Sequence, residues 1–158
     1  MNAIALTPND MIDILASRIK EIVRDLRLET KVEGLRKAPD VYTGYLGKRY
    51  TANPNAGPEV PWIIVRYLDS DDEDGGCLAN VRIIVCTYSN DDENGWRDPM
   101  NVLTRIKQQL LAHPLIGGPF EVRRPFQDEL LEEQPFPEWI AGMTLKVTMP
   151  QVHEEWSE

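Results

Sequence analysis

Two runs rich in β-branched and aromatic residues, Trp62–Leu68 and Ala79–Tyr88, flank the stretch Asp69-Ser70-Asp71-Asp72-Glu73-Asp74-Gly75-Gly76. Such runs predict strands, and a connection this short joins strands antiparallel, so the chain must contain a sheet built around a hairpin. The acidic residues and paired glycines predict a solvated connection over 69–76. In the second strand Val81, Ile83 and Val85 face one way, while Arg82, Ile84, Cys86 and Tyr88 face the other. That second face is less polar than a water-facing surface requires, which predicts that one side of the sheet meets another chain.

The first face needs a cover, and two helical stripes supply it. Thr7-Pro8-Asn9-Asp10 places a capping threonine before a proline at the first helical position, where a missing N–H costs nothing. Met11, Ile12, Leu15, Ile19, Ile22, Val23 and Leu26 then share one side, predicting an amphipathic helix over about 8–28. Asp98-Pro99 repeats the signal ahead of Met100, Leu103, Ile106, Leu110 and Leu111, and His113-Pro114 ends the second helix.

Three further strands are predicted: a short one at 41–46, one at 120–124 that enters a turn at Pro125, and a last one in which Met143, Leu145, Val147 and Met149 alternate with Thr144, Lys146 and Thr148. Between the first of these and Trp62, glycines and prolines predict a long loop over about 47–60, with Lys48–Gly57 as its exposed excursion. The order of elements predicts a single α+β domain over 1–158, with a largely antiparallel or mixed sheet and two main helices on one face. A chain of 158 residues needs only one core. Residues 151–158 read as an acidic tail.

The chain carries 26 acidic against 17 basic residues, a formal net charge of -9 that disfavours non-specific binding to nucleic acid. The first residues predict no secretory leader, and no apolar run approaches the roughly 20 residues that span a bilayer, so no membrane partner is expected and the chain is expected to be made in the cytoplasm. Cys77 and Cys86 match no common zinc spacing, and His113 and His153 have no partner ligands nearby, so two reduced thiols and no metal site are expected. Gly75-Gly76 and Gly117-Gly118 lack the Lys and Ser or Thr of a phosphate-cradling loop, and Ser17, Ser70 and Ser89 have no histidine base at hand. No catalytic or cofactor-binding residue is assigned, and the chain is not expected to be an enzyme. The clusters Asp69–Asp74 and Asp91–Glu93 are the only candidates for a hard cation, although the first lacks the terminal Glu and interior Gly of a calcium hand.

Glu132-Glu133-Gln134-Pro135-Phe136-Pro137-Glu138-Trp139 is more informative, because prolines on both sides of Phe136 set an extended segment presenting Phe136 and Trp139, either to the domain's own core edge or to another subunit. Taken in order, the early helix, Pro61-Trp62-Ile63-Ile64-Val65, the acidic loop, Val81–Tyr88 ending in Thr87-Tyr88-Ser89, the helix after Asp98-Pro99 and this proline-bracketed stretch resemble tail-completion or tail-terminator proteins of long-tailed bacteriophages and prophages. The resemblance spans most of the chain and includes no catalytic signature.

The resemblance implies an α+β subunit that assembles with copies of itself, commonly as a hexameric ring, at the end of a tail tube and joins tail to head. Its partners would be the tail tube protein and a head-connector protein, with DNA only passing through the lumen, and its location would be the virion. Candidate subunit-interface residues are Trp62, Arg82, Ile84, Tyr88, Phe136 and Trp139. Two other expectations stand beside it: a metal-dependent enzyme of nucleic acid using the acidic loops around Asp71 and Asp91, and a monomeric phage assembly adaptor that binds through its first helix.

Overall fold

The computed structural model describes residues 6–46 and 59–152; the expected excursion Lys48–Gly57 and residues 153–158 of the acidic tail lie outside them. Helix α1 is Pro8–Val23. Strands β1 (Leu28–Glu29) and β2 (Arg36–Lys37) form a small antiparallel hairpin. Strands β3 (Asp40–Thr43), β4 (Trp62–Glu73) and β5 (Gly76–Tyr88) follow. Helix α2 is Arg97–Ala112, and strands β6 (Leu115–Gly117), β7 (Phe120–Leu130) and β8 (Glu138–Met149) follow it among the described residues.

The main sheet runs β3-β4-β5-β8-β7-β6. Among the described residues only β3 and β4 pair in parallel and the other pairs are antiparallel, so the sheet is mixed and the fold is α+β as the element order predicts. Both helices lie on one face, α1 over β3 and β4, α2 over β5, β7 and β8, and they touch each other. The core between the layers is Ile63 and Val65 of β4, Val81, Ile83 and Val85 of β5, and Ala141, Met143, Leu145 and Val147 of β8, under Leu15 and Ile19 of α1 and Leu103, Ile106 and Leu110 of α2. The period-two and helical stripes meet there because each needs the other to leave water.

The start of α1 follows its sequence. The Thr7 hydroxyl accepts from Asp10 N–H at 3.3 Å while the Asp10 carboxylate accepts from Thr7 N–H at 2.8 Å, a reciprocal capping box. The helix ends earlier than the apolar stripe suggests, at Val23 rather than 28: Leu26 N–H donates to Val23 O in a tight turn, and Leu26 still reaches the core from outside the helix. The start of α2 also differs from expectation. Asp98 is not the cap, because the turn Asn94-Gly95-Trp96-Arg97 begins the coil earlier, with Arg97 N–H on Asn94 O and Asp98 N–H on Gly95 O; Trp96 occupies the cap position and makes no capping bond, its indole N–H donating back to Glu93 O at 3.1 Å.

Four strands, β4, β5, β7 and β8, are longer than their composition predicts. β4 and β5 pair through the acidic stretch to Glu73↔Gly76, leaving only Asp74-Gly75 as the turn, because the flanking carboxylates alternate between faces at the open end of the sheet and remain exposed. β7 does not stop at Pro125 but continues to Leu130, with the irregularity absorbed between Arg123 and Gln127.

Candidate interaction surface

Neither α1 nor α2 lies over the opposite face of the sheet, on which Ile64 and Cys86 are nevertheless buried. Register places Trp62, Cys86 and Ile140 in one row across β4, β5 and β8 of that face. The next row is Ile64, Ile84, Gly142 and Glu129, and the third is Arg66, Arg82, Thr144 and Gln127. Over β5, β8 and β7 these rows form an open trough of about 900 Å³, with Ile84, Ile140 and Leu131 as its apolar surfaces and Arg82 and Glu129 at its margins. Gly142 keeps the floor low. A Cβ there would meet nothing nearer than Ile83 O at 3.7 Å, so the space above it is free.

The loop from β7 to β8 shapes one wall. Gln134 folds back so that its side-chain amide donates to Ile140 O at 3.0 Å and accepts from Ile140 N–H at 2.7 Å, taking the place of a neighbouring strand, and it also donates to Leu131 O at 2.7 Å. Replacing Gln134 by alanine strips partners from a half-buried peptide, and a loss of about 1–3 kcal/mol of unfolding free energy is expected in urea titration. A neutral substitution would mean that the wall does not depend on this clamp.

The six residues singled out in the sequence separate here. Arg82 and Ile84 line the trough. Trp62 lies on the same open face, half-buried, in the row of Cys86 and Ile140. Tyr88 is half-buried at the end of β5, where its hydroxyl accepts from Asn90 Nδ2 at 3.5 Å and it lines a second concavity with the β1–β2 turn. Phe136 is 51% exposed, its ring edge-on to Trp139 with centroids 5.9 Å apart.

Trp139, a candidate for either another subunit or the domain's own core edge, takes the core edge, which corrects its place among the interface residues. It pairs with Thr87 on the helix-covered face, is 7% exposed, and donates its indole N–H to Ser89 O at 3.1 Å, with Gly95 packed against the ring. Strand alternation sends it inward, so it anchors the loop before α2 to the sheet and leaves Phe136 as the outward member of the pair.

Cys86 is fully buried in a strand, and burial, reinforced by the Glu138 carboxylate, pushes its thiol well above the usual range. Cys77, half-buried near the β4–β5 turn, is shifted upward by desolvation and by Asp72 and Asp71. Both are free thiols. A disulfide-exchange reagent at neutral pH is expected to label Cys77 slowly and Cys86 only on unfolding, since the thiolate is the reactive species. Prompt labelling of both would contradict this packing.

Among the described residues no three His, Cys, Asp or Glu side chains come together in a group able to hold a metal ion. Strand alternation separates Asp69, Asp71 and Glu73 from Asp72, and the Asp91 carboxylate is engaged by the N–H groups of Glu93 and Asn94 at 3.0 and 3.1 Å. No helix among the described residues is long and apolar enough to cross a membrane.

Sequence reading missed Gly142, Gln134 and the β1–β2 turn. An isolated glycine inside the alternating pattern of the last strand was the available signal for the trough. No family model matches the chain, and no curated protein is significantly similar to it in sequence.

Proposed function

We propose that this chain is a structural subunit of a phage or prophage virion, a tail-terminator or completion protein that closes into a ring at the end of the tail tube and joins tail to head. The observation that carries the reading is the open trough over β5, β8 and β7, with its low floor at Ile84, Gly142 and Ile140, on the face of the sheet away from the core that α1 and α2 close. A concavity with isoleucines on its floor and polar side chains around them has the make-up of a protein contact, an apolar centre within a polar rim. The resemblance of Pro61–Val65, Val81–Ser89 and Glu132–Trp139 to tail-completion proteins supplies the kind of contact, a closed circle of copies. Ring closure needs two different surfaces meeting head to tail. In such a ring the exposed carboxylates of Asp69–Asp74 would give a lumen wall that repels DNA and lets it pass.

Size-exclusion chromatography with light scattering, followed by electron microscopy, tests the reading. A closed ring that binds the end of tail tubes is expected. A chain that stays monomeric at high concentration and ignores tail tubes would overturn it.

A further inference from the structure

The turn between β1 and β2 carries two of the most exposed large apolar side chains among the described residues, Val32 at 61% and Leu35 at 51%. It is not a loose loop. The Thr30 hydroxyl lies 2.9 Å from Leu35 O and 3.1 Å from Val32 O and accepts from Val32 N–H, Leu35 N–H donates to Val32 O, and Gly34 takes the positive φ of 80° that the turn needs. An apolar pair on a preorganised turn loses little entropy when it is covered.

We infer that this knob seats in the trough of the next copy, Val32 and Leu35 filling the space above Gly142; the inference rests on the ring reading and specifies its contact. Shape and charge both favour it. Val32 and Leu35 are exposed apolar side chains, and the trough is a concavity whose floor at Ile84 and Ile140 can cover them. In the segment 27–37 Lys37 is held by Asp40, and three other basic residues (Arg27, Lys31, Arg36) stand against two acidic ones (Glu29, Glu33), a local charge of +1 in a chain of net charge -9. In the strand end and loop beside the trough, 127–133, Asp128 is held by Lys107 of α2 at 2.7 Å, and Glu129, Glu132 and Glu133 remain with no basic residue among them, a local charge of -3. Lys31 and Arg36 keep more than half of their side chains exposed, and their ion pairs with Glu138 and Glu29 are long, at 3.7 and 3.5 Å, so both charges remain open to a partner. Knob and trough share no residue, which is the requirement for a head-to-tail contact that repeats around a circle. Opposite charge steers such docking and suppresses wrong registers.

Two variants separate the halves. Val32→Asp with Leu35→Asp spoils the knob at exposed positions, and Gly142→Gln fills the trough where a Cβ has room. Each alone is expected to run as a monomer in light scattering while keeping the wild-type circular dichroism. Mixed in equal amounts they retain one good knob and one good trough between them, so dimers that go no further are expected. Should Gly142→Gln fail to fold, Glu129→Lys replaces it, and Lys31→Glu in the partner is expected to restore association. Wild-type rings that persist in both variants, loss of assembly in only one of them, or a mixture that stays monomeric would each overturn the knob-in-trough contact while leaving the ring reading standing. A wild-type chain that never assembles would overturn both.

Discussion

Phe120→Ala is expected to lower the unfolding free energy by about 3–5 kcal/mol, the usual cost of deleting a large buried ring and leaving a cavity. Phe120 is fully buried at the first position of β7 and belongs to the core shared by the sheet and both helices. Its neighbours cannot easily collapse into the space, because the strand start is held on both sides. Glu121 N–H donates to Thr148 Oγ1 at 2.9 Å, and Val122 N–H to Pro114 O at 2.8 Å. Chemical denaturation with a two-state fit measures the effect, and a cost below about 1 kcal/mol would mean that the helical layer does not close over this ring.

Gly95→Ala is expected to cost about 1–3 kcal/mol, toward the upper end, because the added carbon enters filled space. A Cβ at 95 would lie 2.3 Å from Trp139 Nε1, 2.5 Å from Trp139 Cε2 and 2.8 Å from Asp91 O. None of these can give way cheaply: the indole is buried and bonded to Ser89 O, and Asp91 O already accepts from Gly95 N–H at 2.9 Å. Trp139→Phe removes the clashing nitrogen, so the double variant is expected to cost less than the sum of the two single ones. Strict additivity in a double-mutant cycle would show that the ring and the glycine do not share this space.

Much of the frame was legible in the residues. The cap and proline at Thr7-Pro8, the two apolar helical stripes and the alternation in Val81–Val85 and Met143–Met149 are local patterns, and local patterns survive folding when both faces of an element agree with them. The errors fell where local chemistry was ambiguous. A run of carboxylates reads as a loop, yet Asp69–Glu73 is strand, because β5 lies beside it and offers its backbone partners regardless of side-chain charge. Pro125 reads as a stop, yet β7 passes it, since a strand can lose one ladder bond at a bulge and resume. Asp98-Pro99 reads as a cap, yet the turn at Asn94–Arg97 had already begun the coil.

The candidate surface was half legible. Arg82 and Ile84 were marked by a face too apolar for water, and they do line the trough. Trp139 was marked as the end of the proline-bracketed segment, with the domain's own core edge and another subunit both open to it; register with Thr87 decides for the core edge.

By itself, then, the sequence determined the class of the fold, the place of both helices and the inward set of core side chains, because hydrophobic periodicity is a property of neighbours along the chain. Strand order, the parallel pairing of β3 with β4, the emptiness above Gly142 and the exposure of Val32 and Leu35 were decided only in the tertiary structure. These depend on which distant segments come to lie side by side, and no window of consecutive residues encodes that separation.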